Sequence, residues 1–227
     1  VRQDTASIVI IDYGSGNLRS AEKAFAHAAA QLPKTRRVLV TGEPDHVRHA
    51  EHIILPGVGA FGDCAQGLRA IDGMEDALQE RVMKDAKPFL GICVGMQLMC
   101  ASGLERAAQG APHKGLGWFD AEVRALTPPA PLKVPHMGWN EIDTQANSRG
   151  PHEVIDPLHG EDVYFVHGFA AQARSAKAAE NIVAVTDYGG PVTAIMAQDN
   201  YIGVQFHPEK SQAAGLSFIQ RFLEWRA

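Results

Sequence analysis

Cysteine is scarce in this 227-residue chain, which carries three, Cys64, Cys93 and Cys100. The odd count and the lack of a C-x-x-C pair argue against a disulfide framework and a structural zinc site, and predict a reducing, cytoplasmic setting. Basic residues are outnumbered, 21 against 26 acidic ones, for a net charge of -5. The cationic excess that grips a phosphate backbone is therefore missing, which excludes a general nucleic-acid binder. Long apolar runs are missing too: the most apolar stretch, Phe89 to Ala101, is interrupted by Gln97, well short of the roughly 20 residues that cross a bilayer. Val1-Arg2-Gln3-Asp4 offers no apolar segment ending in a cleavage site, so no secretory leader is expected there. Linkers, repeats and low-complexity blocks are absent, and Thr127-Pro128-Pro129-Ala130-Pro131 is too short to mark a domain boundary.

What the chain has is 45% apolar residues, enough for one sizeable core. Ser7 to Asp12 is a β-branched run, followed by Tyr13-Gly14-Ser15-Gly16 and a helical pattern with Leu18, Ala21, Phe25, Ala28 and Leu32 on one face. The cycle returns at Arg37 to Thr41, at His52 to Leu55, and at Pro88 to Ile92 before a helix predicted over Val94 to Ser102. Such alternation predicts right-handed βαβ crossovers. Beyond about residue 115 the pattern is richer in strands, at Phe119 to Leu126, Val163 to His167, Ile182 to Thr186, Thr193 to Ala197 and Ile202 to Phe206. An amphipathic helix follows, with Leu216, Ile219 and Leu223 on its apolar face. The expectation is an α/β fold: one domain over residues 1–227, with a mixed, mainly parallel central sheet flanked by helices.

Gly91-Ile92-Cys93-Val94-Gly95 puts a thiol between glycines where an apolar strand meets a helix, the pattern of a sharp turn that lifts a nucleophile above a sheet. A helix N-terminus and a nearby imidazolium would lower its pKa from about 8.5 toward neutrality. The pentapeptide alone fits a buried core cysteine as well. Gln205-Phe206-His207-Pro208-Glu209 sits at a strand end. There His207 fits a base that takes the thiol proton and returns it to a leaving amine, and Glu209 fits the acceptor of its other ring N–H. By itself the same segment fits an ordinary turn. A thiolate attacking an amide creates an oxyanion, for which the Val94 N–H and the Pro56-Gly57-Val58-Gly59 backbone are candidate donors.

Other patterns carry less. Gly14-Ser15-Gly16 starts like a dinucleotide loop, but Arg19 stands where the last glycine belongs, so no nucleotide cofactor is expected. His46, His49 and His52 lack a matching ligand pattern in a charged segment that reads as solvated, so no metal is expected. Cys64 and Cys100 fall in helical patterns and read as core residues.

PGVG at 56–59, GICVGMQ at 91–97 and GVQFHPEKS at 203–211 together resemble the class I, triad-type glutamine amidotransferases. IDYGSGNLRS at 11–20, VPHMGWN at 134–140 and YFVHG at 164–168 are similar to those members that serve as glutaminase subunits of imidazole glycerol phosphate synthases. The resemblance implies a flavodoxin-like fold without a cofactor, in which Cys93 is the nucleophile, His207 the acid and base, and Glu209 its orienting partner. It implies an oxyanion hole at Gly57, Val58 and Val94, and glutamine contacts at Gly59, Gln97, His167, Gly168 and Phe169. It also implies a partner, a (β/α)8 cyclase subunit in a heterodimer, facing Asn17, Trp139, Tyr164 and Lys210 and using the ammonia to make imidazole glycerol phosphate in histidine biosynthesis. One departure stands out. The family usually has Ser or Thr and then Tyr after the His of YFVH, whereas this chain has Gly168 and Phe169. Hydroxyl contacts there would be lost, and backbone contacts kept. Two other readings share the motifs, a free-standing amidase on γ-glutamyl substrates and a catalytically idle binding protein. Retention of all three triad residues counts against the second.

Overall fold

The computed structural model describes residues 7–34, 36–108, 111–145 and 149–226, so Val1 to Asp4 lie outside the described residues. Strands β1 (Ile8–Ile11), β2 (Val38–Thr41), β3 (His52–Gly57) and β4 (Phe89–Cys93) alternate with helices α1 (Leu18–Ala30), α2 (Pro44–His49), α3 (Phe61–Arg69) and α4 (Met74–Leu78), as the sequence periodicity predicts. Helix α5 (Val94–Met99) follows β4 without a break. Then come β5 (Cys100–Ala108), β6 (Ala111–Lys114), β7 (Phe119–Ala125), β8 (His136–Glu141), β9 (Asp162–His167) and β10 (Phe169–Ala173). After α6 (Ala176–Ala179), strands β11 (Ile182–Asp187), β12 (Pro191–Gln198) and β13 (Tyr201–Val204) lead to α7 (Gln212–Glu224).

Seven strands form the central sheet in the order β11-β12-β13-β4-β3-β1-β2. Its pairs from β13 through β4, β3 and β1 to β2 are parallel, and the β11-β12-β13 end is antiparallel, so the sheet is mixed and mainly parallel. The β-branched runs IVII and HIIL are buried along their whole length, as strands covered on both faces must be. Helices α1 and α7 pack on each other against one face, and α2 to α5 cover the other, as right-handed crossovers require. One hydrophobic cluster runs through the sheet and both helix layers, from Ile8 and Phe25 to Phe206 and Phe222. Among the described residues no helix is long and apolar enough to cross a membrane.

Two smaller sheets differ from the sequence reading. The helix expected to reach Ser102 stops at Met99, and Cys100 begins β5 instead of lying in a helix. The reason is competition for carbonyls: the N–H groups of Leu116, Trp118 and Gly117 donate to Leu98, Met99 and Cys100, capping α5 from outside after less than two turns. β5 then joins β6, β7 and β10 in a four-stranded sheet, and β8 pairs with β9 as a separate antiparallel ribbon. His52, read as solvated, opens β3 and is buried edge-on against Phe222, and burial pushes its imidazole pKa down to about 4. His46 and His49 are exposed.

The β4-to-α5 junction depends on close backbone approach. A Cβ on Gly91 would meet Met99 Sδ at 2.6 Å, and one on Gly95 would run into the carbonyl oxygen of Leu55 in β3. Gly95→Ala is therefore expected to destabilise the fold by about 3 kcal/mol. Gly14→Ala, at φ 83° with nothing within 4 Å of its Cβ, should cost about 1 kcal/mol. Urea unfolding of the two variants checks the order.

Candidate active site

The parallel strands β1, β3, β4 and β13 end at the same edge of the sheet, where open α/β sheets place their ligand sites. At the end of β4 the chain turns sharply into α5 through Cys93, whose backbone sits at φ 54° and ψ -111°. A non-glycine residue pays strain there and holds it only when its surroundings fix it. The register that pairs Cys93 with Gly57 of β3 supplies part of that fixation.

The segment after β13 is anchored on both sides. Gln205 N–H donates to the Ala194 carbonyl at 2.8 Å, and His207 N–H donates to the Tyr164 carbonyl at 2.9 Å. Ser211, which the sequence reading passes over although it ends the GVQFHPEKS motif, closes the loop: its hydroxyl accepts from Tyr164 N–H at 3.0 Å and donates to the His207 carbonyl at 2.7 Å. Held this way, the His207 ring is buried, with Nδ1 2.8 Å from Glu209 Oε1. A carboxylate can only accept, so Nδ1 carries the proton and Nε2 is left for exchange. Nε2 makes no hydrogen bond and is shielded from solvent. Burial works to lower the pKa of His207, but the Cys93 sulfur as a thiolate and the Glu209 carboxylate outweigh it and push it up to about 9. The Cys93 sulfur takes a weak hydrogen bond at 3.7 Å from Gln205 Nε2, a second contact not singled out from the sequence.

A cavity of about 270 Å³ opens beside these groups, lined by Val58, Gly59, Cys93, Val94, Gln97, His167, Gly168, Phe169, His207 and Lys210 together with Glu105. The expected glutamine-contact residues therefore converge with Cys93 and His207. Glu105 had no signal in the sequence, because it comes from β5, which periodicity does not reveal; its Oε2 accepts from Phe61 N–H at 2.9 Å, at the start of α3. Gln97 Nε2 donates both to the Phe169 carbonyl at 3.1 Å and to Gln205 Oε1 at 3.0 Å.

The glycine-rich turn after β3 is tied elsewhere. Val58 N–H donates to Ser15 Oγ at 3.1 Å, and the same hydroxyl donates back to the Val58 carbonyl at 2.6 Å. In this conformation the Val58 N–H is turned to Ser15. Cys64 Sγ lies 3.2 Å from that hydroxyl.

Of the four residues expected to face a partner, three form a cluster. The Trp139 and Tyr164 rings meet edge to face at 6.0 Å across the β8–β9 pair, and Lys210 Nζ stands 5.7 Å from the centre of the Tyr164 ring. Trp139 is 48% exposed and so is not a core aromatic. Asn17 is exposed just before α1, next to Gly16, which abuts Pro56 of the glycine-rich turn.

Residues 9–225 match the family of class-I glutamine amidotransferases. The chain is 49% identical over 220 residues to the imidazole glycerol phosphate synthase subunit HisH of Mesorhizobium japonicum, covering 96% of this chain and 99% of that one. It is 49% identical to the HisH subunit of Rhodospirillum rubrum over 96% of this chain and 98% of the relative. Among solved structures, a glutamine amidotransferase superimposes with a TM-score of 0.66 at 18% identity, over 95% of this chain and 97% of the other. One from Thermotoga maritima does so with 0.55 at 15% identity, over 98% and 84%. Elbow, buried His–Glu pair and full-length likeness agree: the chain belongs to the class-I glutamine amidotransferases, in the family of HisH subunits of imidazole glycerol phosphate synthase.

Proposed function

We propose that the chain, as one domain over residues 1–227, hydrolyses glutamine in the cytoplasm and delivers the ammonia to a cyclase subunit with a (β/α)8 barrel, which makes imidazole glycerol phosphate in histidine biosynthesis. The observation that carries the chemistry is the buried His207–Glu209 contact of 2.8 Å beside a strained cysteine elbow. The Cys93 thiolate attacks the side-chain amide carbon of glutamine; the C–N bond breaks as His207 gives its Nε2 proton to the leaving nitrogen, and a thioester remains. Water then attacks the thioester carbon while His207 takes its proton, releasing glutamate and the thiolate. Glu209 keeps the ring oriented and stabilises the imidazolium. Gly59, Gln97, His167, Gly168 and Phe169 hold glutamine, and Glu105 offers its α-ammonium a carboxylate. Nucleophile and proton both come from the chain, so this reading calls on no metal or cofactor.

Gly57, Val58 and Val94 surround the point where the oxyanion forms. Val58 N–H reaches it by leaving Ser15, so the Ser15 hydroxyl restrains hydrolysis until the turn moves. Asn17, Trp139, Tyr164 and Lys210 form the docking face, near enough to Cys93 that ammonia passes to the partner before bulk water protonates it. Exposed Met137 and Trp139 on β8, a lysine over a tyrosine ring, and nearness to the cavity support this assignment.

Cys93→Ala should abolish ammonia release from glutamine while circular dichroism stays unchanged. In the wild type, activity should hold while His207 is protonated and fall as pH rises through about 9. Glu209→Gln removes an anion that favours the imidazolium, so a pH profile of that variant should show the alkaline limb shifted to lower pH. Ser15→Ala should raise partner-independent hydrolysis by about fivefold, on the order of one released hydrogen bond; an unchanged basal rate would overturn the Ser15 restraint. Trp139→Ala should weaken binding to the cyclase on the order of tenfold or more in a titration, without altering the unfolding midpoint.

A further inference from the structure

Behind the exposed face of the β8–β9 ribbon lie two buried histidines, His167 of the pocket wall and His136, which the mechanism leaves unused. His136 is clamped between Phe165, at a ring separation of 4.8 Å, and Tyr188, at 4.0 Å, both nearly parallel to it. Its Nδ1 lies 3.1 Å from Nε2 of His167, its Nε2 lies 3.2 Å from Asn140 Nδ2, and Nδ1 of His167 lies 2.9 Å from the Phe169 carbonyl.

These contacts fix every proton. A carbonyl oxygen only accepts, so His167 carries its proton on Nδ1 and presents a lone pair at Nε2. His136 must then donate from Nδ1, which leaves its own Nε2 to accept. Asn140 meets that need: its Oδ1 accepts from Glu141 N–H at 2.9 Å, which sets the amide orientation, and its Nδ2 donates to the Asp187 carbonyl at 2.8 Å and to His136. Burial lowers the pKa of both rings, His167 to about 4, so neither is charged at neutral pH. The Phe169 carbonyl that ends this chain also receives Gln97 Nε2–H, and from Gln97 the bonds continue through Gln205 to the Cys93 sulfur. The chain of bonds thus starts at Asn140, beside the exposed Trp139, and reaches the nucleophile.

We propose that His136 is a positioning residue for the glutamine pocket: in its Nδ1–H form it holds His167, and through His167 the Phe169 carbonyl, so that the ribbon and the pocket wall are set by one directional chain of hydrogen bonds. This deepens the glutaminase reading and rests on it. Gly168 and Phe169 lack the usual hydroxyls, so their backbone is what glutamine meets, and His136 fixes that backbone from behind.

Two measurements test the proposal. Nitrogen-15 NMR of histidine-labelled full-length protein at pH 7 should show both His136 and His167 protonated at Nδ1; an Nε2–H form at either would overturn it. The second compares two side chains of similar size in the complex with the cyclase. His136→Asn keeps a donor at the Nδ1 position, whereas His136→Gln places its amide at the Nε2 position and loses that donor. His136→Gln should raise KM for glutamine on the order of tenfold with kcat changed by less than about twofold, and His136→Asn should restore most of the loss. Equal KM values in the two variants would mean a merely space-filling role and would overturn the proposal. Wild-type protein that releases no ammonia from glutamine with its partner would instead fail the glutaminase reading. The NMR measurement needs no variant, so it decides the tautomers even if His136→Gln does not fold.

Discussion

The backbone at Cys93 is the constraint on which the rest of the structure depends. At φ 54° and ψ -111° it occupies a region that costs an ordinary residue about 1–3 kcal/mol, and the surroundings must hold it there. They do so with close contact: Gly91 and Gly95 carry no Cβ, which lets α5 press onto the Leu55 carbonyl and Met99 onto β4. The parallel register then sets Gly57 opposite Cys93, and the glycine-rich turn that follows necessarily lies beside the sulfur. The short length of α5 belongs to the same arrangement, because capping by residues 116–118 turns the chain into β5 and brings Glu105 to the cavity rim.

Around that turn the site is built from buried polar groups matched one to one. His207 is held by Tyr164 and Ser211 through its backbone and by Glu209 through its ring. Gln97 and Gln205 fill the space between the sulfur and Phe169 with amides, Gln97 donating to the Phe169 carbonyl and to Gln205, and Gln205 to the sulfur. In a low-dielectric interior such a network is stable when complete and costly when broken. Among the described residues, His207 Nε2 and Glu209 Oε2 are two of the buried side-chain atoms that stay without a partner, and they belong to the pair to which the proposed mechanism gives the acid–base work.

Much of this was legible in the sequence where local pattern and tertiary need coincide. β1, β3 and β4 are apolar runs buried on both faces, β-branched in β1 and β3, and α1 and α7 have one apolar face, so periodicity finds them. Cys93, His207 and Glu209 stand in short motifs whose glycines and proline have local reasons to be there. β5, β6, β8 and β10 were not legible, because their burial is incomplete or alternates with exposed charge, and because α5 is ended by distant N–H groups rather than by its own residues. Ser15, Glu105, Gln205 and Ser211 were missed for a related reason: a hydroxyl, carboxylate or amide whose partner lies 40 or more residues away leaves no trace in its own neighbourhood.

The β8–β9 ribbon turns Met137 and Trp139 outward and His136 and Asn140 inward, so its two faces serve different ends through alternate residues of one strand. Strand geometry makes this an all-or-nothing arrangement. Inserting one residue ahead of His136 would turn its imidazole outward, away from His167, and bury the tryptophan, exchanging the faces of β8 at a stroke, while inserting two would preserve both. The ribbon can therefore drift in length only by even steps, and its parity links the exposed face proposed for docking to the polar layer behind the pocket.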